Sequence, residues 1–203
     1  MSKSKRKQAT RRGRAIVPEP WYRRVPLMPV VVAALIGASA ITAGVWAATH
    51  PASGAGASID GIPCETGEQV ATHYHAHVEI YVNGTPAVVP AGLGIDSDTQ
   101  CLYWLHSHAT DGVIHIEAPK NQARRNFTLG EFFDIWKKRL DSTHVGDTTV
   151  TKGEKLYVTV DGQPYKGNPA KIVLKPHEQI VIQVLSPDSE PVTPTPFQFP
   201  AGE

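Results

Sequence analysis

Residues 72–90 read THYHAHVEIYVNGTPAVVP, and their pattern predicts a β-hairpin. Polar and apolar side chains alternate along it up to Asn83-Gly84, a dipeptide that favours the two-residue turn of a β-hairpin. If Val82 lies opposite Thr85, the two halves of the stretch form an antiparallel pair. The same register predicts two further pairs, Glu79 with Val88 and His77 with Pro90.

The predicted hairpin has two chemically different faces, because successive side chains of a strand point to opposite sides. One face is apolar and collects Tyr74, Ala76, Val78, Ile80 and Val82. The other face is polar and collects His73, His75, His77 and Glu79. We expect the apolar face to join the core and the imidazoles to lie together on the opposite side of the sheet.

A second hairpin is predicted over residues 102–117, with Asp111-Gly112 as its turn. With Thr110 opposite Val113, two pairs of potential ligands meet on one face, His108 with His115 and His106 with Glu117. The opposite face would add Tyr103, Leu105, Ile114 and Ile116 to the core. A slip of one residue would separate His108 from His115, so this prediction depends on the turn.

The rest of this region adds one helix and more short strands. Residues 128–140 begin with Thr128-Leu-Gly-Glu131, a capping-box signal, and continue with large apolar residues, which predicts a helix that covers a sheet face. Residues 155–160, 171–174 and 179–185 have the composition of strands, and Asp161-Gly162 supplies a turn. The predicted fold class is α+β, made mostly of antiparallel hairpins with one covering helix.

Clustered histidines predict a metal site. Six of the nine histidines fall between residues 73 and 115, and neutral imidazole is the commonest metal ligand in proteins. The predicted ligands are His75, His77, His106, His108 and His115. His73, Glu79 and Glu117 are expected as further ligands or as partners that orient an imidazole. The alternative is a wet polar groove whose side chains bind no metal.

The absence of soft ligands narrows the choice of metal. Met1 and Met28 are the only methionines, so a thioether copper site is excluded after residue 28. We favour copper or zinc, bound for capture, buffering or delivery. A metalloenzyme that activates a metal-bound water is the first alternative, and a structural or interaction domain without metal is the second.

Cys64 and Cys101 are the only cysteines, and we expect them to form a disulfide. Both follow the apolar segment described below, where the predicted topology places the chain in an oxidising compartment. The alternative is a pair of thiolate metal ligands. That reading is weaker, because the two residues lack the close spacing of cysteine-based zinc sites.

The N-terminal part of the chain predicts a single-pass membrane protein. Residues 25–48 are apolar and uncharged over a length that spans a bilayer. Nine of the 20 Lys and Arg residues lie in residues 1–24, which places that tail in the cytoplasm and the rest of the chain outside. The alternative is a cleaved signal peptide, since small residues follow the apolar run.

Composition divides the remainder of the chain into three parts. Residues 49–61 are predicted to be a flexible linker, residues 62–186 a single extracytoplasmic domain, and residues 187–203 a Pro-rich tail that is an irregular wrap or a disordered end. Residues 25–203 hold 11 basic and 18 acidic side chains, so this part is net negative. No nucleic-acid partner is therefore expected.

Several phrases resemble an uncharacterised family of membrane-anchored or secreted prokaryotic proteins with HxH, LHxH and GxIHIE motifs. They are His75-Ala-His77, Leu105-His-Ser-His108, Gly112-Val-Ile-His-Ile-Glu117 and the run FTLGEFFDIW at residues 127–136. The resemblance covers most of residues 62–186; it supports the domain limits and implies no particular activity. His73-x-His75 followed by Glu79 also resembles the start of the cupin metal motif, but Gly84 comes too early and no second cupin motif follows.

Overall fold

The computed structural model describes residues 56–200. The predicted cytoplasmic tail, residues 1–24, and the predicted membrane span, residues 25–48, lie outside the described residues and stay predictions. Within residues 56–200, no helix has the length and apolar character needed to cross a bilayer.

Strands dominate the described region, with one α-helix and two 3-10 turns, so the α+β prediction is confirmed in its broad form. The helix, α1, is Leu129–Ile135, and the 3-10 turns are Lys120–Gln122 and Pro169–Lys171. The strands are β1 Gly56–Ile59, β2 Ile62–Glu65, β3 Thr72–Val82, β4 Thr85–Ala87, β5 Ile95–Asp96, β6 Cys101–Tyr103, β7 Leu105–His106, β8 Val113–Ala118, β9 Arg139–Leu140, β10 His144–Gly146, β11 Thr148–Thr149, β12 Lys155–Val160, β13 Gln163–Tyr165 and β14 Gln179–Leu185.

The main sheet has the strand order β13-β12-β14-β3-β8-β7, with β4 also paired to β3. Its pairings are antiparallel except that of β14 with β3, which is parallel. Strands β13 and β7 lie at its two ends, so this sheet is not a closed cupin barrel. The described region also holds two smaller sheets, β1-β2-β6-β5 and β11-β10-β9.

One face of the main sheet packs in the core, as the alternation in β3 predicts. Ala76, Val78 and Ile80 are at most 5% exposed, and Ile114 and Ile116 of β8 are fully buried beside them. The helix α1 contributes Leu129, Phe132, Phe133 and Ile135 to the same core. We call the opposite side, which carries His73, His75, His77 and Glu79 of β3, the histidine face.

The helix begins as predicted and ends earlier. Thr128 is its N-cap, and the reciprocal bonds of the capping box with Glu131 are both present. The prediction extended the helix to residue 140, but Trp136 is its C-cap and Lys137 has a φ of 60°. A non-glycine residue in the left-handed region cannot continue a helix, so the following residues turn into β9. The strand predicted at residues 171–174 is also wrong, since only Val173 forms a bridge, to Thr128.

The first hairpin has the predicted turn and a shorter second strand. Val82 pairs with Thr85, and Asn83 and Gly84 have φ values of 52° and 78°, as a primed turn requires. The pairing stops at Ala87. The predicted pairs of Glu79 with Val88 and of His77 with Pro90 are therefore wrong. The remaining length of β3 pairs with β8 instead.

The second hairpin has a register two residues away from the prediction. His106, not His108, lies opposite His115, because β7 ends at His106. Buried Ser107 leaves the sheet: its N–H donates to the carbonyl of Leu93, and its hydroxyl donates to the carbonyl of Pro90. A shift of two residues preserves the faces of a strand, so the histidines still share one side.

The predicted disulfide between Cys64 and Cys101 is present and connects β2 to β6. Strand β1 lies inside the segment predicted to be a flexible linker, residues 49–61, and pairs with β2. Ordered structure therefore begins before Ile62, the predicted start of the domain.

Residues 191–200, which we call the C-terminal strap, run across the histidine face without forming a strand. Two glutamines of β14 hold its backbone. Gln183 donates to the carbonyl of Val192 and accepts from its N–H, and Gln179 makes the same two contacts with Phe197. Each side-chain amide thus replaces the pairing that a neighbouring strand would supply.

Candidate metal centre

Three histidines form a row across strands β7, β8 and β3. His106 lies opposite His115, and His115 lies opposite His75. Residues directly opposite one another in neighbouring strands point to the same side, with Cβ atoms about 4.5–5.5 Å apart. The three imidazoles therefore lie side by side on the histidine face.

A carboxylate and a fourth histidine form the next row. His73 lies opposite Glu117, and Glu117 is 3% exposed. Its Oε1 lies 3.3 Å from Nε2 of His73, 3.7 Å from Nδ1 of His115 and 3.9 Å from Nε2 of His106. The carboxylate of Glu117 thus lies close to imidazoles of β3, β7 and β8.

The nitrogens of neighbouring imidazoles face one another at short range. Nε2 of His75 lies 2.9 Å from Nδ1 of His115 and 3.2 Å from Nε2 of His73. Ligand nitrogens about 2.0–2.1 Å from a tetrahedral ion are separated from each other by about 3.3 Å. The spacing of these three nitrogens therefore fits the edges of a metal coordination shell.

His106 has the orientation of a metal ligand. It is fully buried, and its Nδ1 lies 2.9 Å from the carbonyl oxygen of Tyr103, a contact that requires the proton on Nδ1. Its Nε2 then carries a lone pair, and this buried nitrogen has no hydrogen-bond partner within residues 56–200. Metal-bound histidines commonly donate the other N–H to a backbone carbonyl in this way.

His108 joins the same group from a loop. It follows β7 after buried Ser107, its side chain is 46% exposed, and its ring lies edge-on to that of His115 at 4.5 Å. Nε2 of His108 lies 3.9 Å from a carboxylate oxygen of Glu68, an exposed residue between β2 and β3. The loop therefore places one imidazole at the solvent edge of the buried row.

The described residues contain three overlapping groups that could hold a metal ion. In each group, the ligand atoms lie within 4.8 Å of one another. The groups are His73, His75 and His115; His106, His108 and His115; and Glu68, His106 and Glu117. We call these seven residues together the histidine cluster.

Two residues from the predicted set, His77 and Glu79, lie outside these groups. Nε2 of His77 lies 2.8 Å from the carbonyl oxygen of Asp111, and its ring stacks on Phe197 of the strap at 4.1 Å. Glu79 lies 3.8 Å from Nδ1 of His77 and accepts a hydrogen bond from Tyr81. The structure therefore gives His77 a packing and hydrogen-bonding role beside the strap, outside the three ligand groups.

The cluster favours neutral imidazoles. Burial lowers the pKa of His115 to about 3 and the pKa of both His75 and His106 to about 4, and neighbouring imidazoles lower each further. Burial, reinforced by the charge of Glu68, raises the pKa of Glu117. Neutral imidazole is the form that binds metal, so at neutral pH these nitrogens have lone pairs available.

Sequence reasoning missed one member of the cluster, Glu68, and one residue beside it, His177. Glu68 carried no signal, because it lies in a loop and reaches His108 only through the tertiary fold. His177 is far from the predicted ligands in the sequence. Its N–H donates to the carbonyl of His75 at 2.7 Å and its ring stacks on Phe199, because β14 pairs in parallel with β3.

Comparison with known proteins adds no functional assignment. No protein-family model, no curated protein and no solved structure matches the chain. What the described residues establish is a β-rich α+β domain whose main sheet presents a group of histidines and carboxylates that could hold a metal ion.

Proposed function

We propose that this protein binds a transition-metal ion, Cu(II) or Zn(II), outside the cell membrane, for capture, buffering or delivery. In this proposal residues 25–48 tether the domain to the membrane. The observation that carries it is the buried Nε2 of His106, which finds no hydrogen-bond partner in the part of the chain that the structure describes.

The buried Nε2 of His106 argues against a purely structural role for the domain. A buried polar atom without a partner costs about 1–3 kcal/mol. A bound ion would replace the missing partner with a coordinate bond. In a structural or interaction domain without metal, nothing would offset the free-energy cost of this buried nitrogen.

The donor set supports the choice of metal. The chain has no methionine after Met28, and both cysteines are in the disulfide. The cluster therefore offers imidazole nitrogens and carboxylate oxygens only. Imidazole-rich sites suit Zn(II) and Cu(II), whereas Cu(I) selects thiolates and thioethers.

Access from solvent favours exchange of the ion. His73 and His108 have side chains that are 41% and 46% exposed, while His106 is fully buried. An ion can therefore enter and leave past the exposed outer ligands without reaching the buried ligands first. This arrangement suits capture and release.

The metalloenzyme alternative is favoured by one observation, the buried carboxyl of Glu117. No described residue forms a hydrogen bond with its Oε2, and burial raises the pKa of the carboxyl. A carboxyl of this kind beside an ion can accept a proton from a metal-bound water. Turnover of ester, phosphoester or peptide substrates by the metal-loaded chain would favour this alternative, and its absence would favour capture.

Elemental analysis tests the central proposal. The full chain is purified without a histidine tag, loaded with Cu(II) or Zn(II), dialysed and analysed for metal. We expect metal at a fixed ratio in the unmodified chain, a loss of at least tenfold in affinity in His106→Ala, and no change in His144→Ala. His144 is the matched control, because it bonds to Asp141 and Thr143 outside the cluster. A chain that retains no metal would refute the proposal.

A further inference from the structure

The two all-histidine ligand groups of the histidine cluster share one residue, in a way that a single ion does not explain. His73 and His75 form one group with His115, and His106 and His108 form another group with the same His115. Five imidazoles exceed the four ligand positions of a tetrahedral ion. One bound ion would therefore leave part of the cluster without a function.

We propose that the cluster holds two metal ions at once, with the imidazole of His115 as the bridge between them. The inference rests on the proposed function. The first ion is bound by His73, His75 and His115, and the second by His106, His108 and His115. An imidazole has two ring nitrogens. Because Nδ1 of His115 faces Nε2 of His75 at 2.9 Å, its Nε2 is left for the second group.

Each group contains its own buried imidazole. In the first group, Nε2 of His75 faces Nε2 of His73 and Nδ1 of His115. In the second group, Nε2 of His106 is buried and has no hydrogen-bond partner among the described residues. The row His75, His115, His106 places the two buried residues on opposite sides of the bridge, in strands β3 and β7. The two groups therefore offer separate positions for two ions.

The cluster also provides the negative charge that two divalent ions need. Glu117 reaches both groups, at 3.3 Å from Nε2 of His73 and 3.9 Å from Nε2 of His106. Glu68 lies beside His108. When both nitrogens of His115 bind metal, its single N–H proton is released to solvent and the ring becomes a singly charged imidazolate.

The test is titration of the full, untagged chain with Cu(II), and in parallel with Zn(II), followed by electron paramagnetic resonance of the copper form. We expect about two ions per chain, with one proton released by His115. Two Cu(II) ions joined by an imidazolate couple magnetically, so the signal per copper should fall well below that of isolated Cu(II).

Two exposed ligands provide variants that should fold normally. His73→Ala should remove one ion and His108→Ala the other, each leaving about one ion per chain with the full signal of isolated Cu(II). His144→Ala should keep both ions. One ion in the unmodified chain would overturn this inference and leave the proposed function intact, whereas no ion would overturn both. Two ions with the full uncoupled copper signal would overturn the bridge.

Discussion

Nε2 of His75 lies 2.9 Å from Nδ1 of His115, so two imidazoles from neighbouring strands share one contact at the centre of the histidine face. Protonating both rings would place two positive charges at this distance with little water between them. Burial, together with repulsion from His75 and other nearby imidazoles, lowers the pKa of His115 to about 3. Burial, together with repulsion from His73, His177 and His108, lowers the pKa of His75 to about 4.

The metal-free domain should lose stability as the pH falls from 6.5 towards 4. The ordinary pKa of histidine is 6.5, and His75, His106 and His115 all have a lower pKa in the folded chain. Below pH 6.5 the unfolded chain therefore binds more protons than the folded chain. Each such proton lowers the free energy of unfolding by about 1.4 kcal/mol per pH unit. The loss of stability is complete once the pH is below the pKa values of these three histidines in the folded chain. The raised pKa of Glu117 opposes this loss in part.

Denaturant unfolding at several pH values, with a chelator present, measures this slope. His106→Gln removes one of the titrating rings and should reduce the slope, whereas His144→Gln should leave it unchanged. A free energy of unfolding that stays constant from pH 7 to pH 5 would contradict the neutral, desolvated cluster.

Glu117→Gln should weaken metal binding while leaving the fold intact. The amide keeps the size of the side chain but removes the negative charge beside His73, His106 and His115. We expect a loss of about 10–100-fold in affinity, the range found when a group next to a metal ligand is changed. Competition with a chromogenic chelator measures it. His77→Gln is the comparison variant, because His77 lies outside the three ligand groups, and it should retain the unmodified affinity.

Removing the disulfide should destabilise the domain. Cys64 and Cys101 are separated by 37 residues, and closing a loop of that length stabilises a fold by about 4 kcal/mol in the chain-entropy model. Replacing both by Ala should lower the free energy of unfolding by roughly this amount. Metal stoichiometry should be unchanged, since neither cysteine is in the cluster. Two reactive thiols in the denatured, unreduced chain would show instead that the bond does not form.

The strap should depend on its two glutamine contacts. Gln183 is 1% exposed and makes two hydrogen bonds to the backbone of Val192. Replacing it by Ala removes both bonds, so we expect a loss of about 2 kcal/mol in the free energy of unfolding and faster proteolysis of residues 191–200. Gln198→Ala is the matched control, because that side chain is exposed and bonds only within the strap. Equal protease sensitivity of the two variants would argue against this account.

The topology predicted from the basic tail can be tested on intact cells. External protease should digest the domain and leave residues 1–24 protected, because the nine basic residues hold the tail inside. Antibodies against tags at each end provide the measurement. A protected domain with a digested tail would reverse the orientation. A mature chain that begins near Thr49 would support the cleaved-signal alternative.

Local patterns in the sequence were sufficient to predict the faces of the strands. The alternation in residues 72–82 separates imidazoles from core residues, because side chains of a strand have a period of two whatever the strand pairs with. The turn at Asn83-Gly84 and the capping box of Thr128 and Glu131 are equally local. Each depends on chemistry within four residues of the chain.

Pairing across longer distances was decided only by the tertiary structure. The hydrogen bonds of Ser107 to Leu93 and Pro90 end β7 and set His106, not His108, against His115. The parallel pairing of β14 with β3 brings His177 to His75. No local pattern encodes these contacts, because their free energy comes from residues far apart in sequence.

The candidate site depends both on local sequence patterns and on the tertiary structure. The alternation of side chains along each strand is enough to put most histidines of the site on one side of two hairpins, since a shift of two residues preserves the faces. The tertiary structure determines which residues belong to the site. It directed His77 to the carbonyl of Asp111 and to Phe197, and it brought Glu68 from a loop to His108. The side of the sheet to which a side chain points follows from the geometry of its own strand. Which side chains lie next to one another on that side follows from the register between strands and from the packing of the loops.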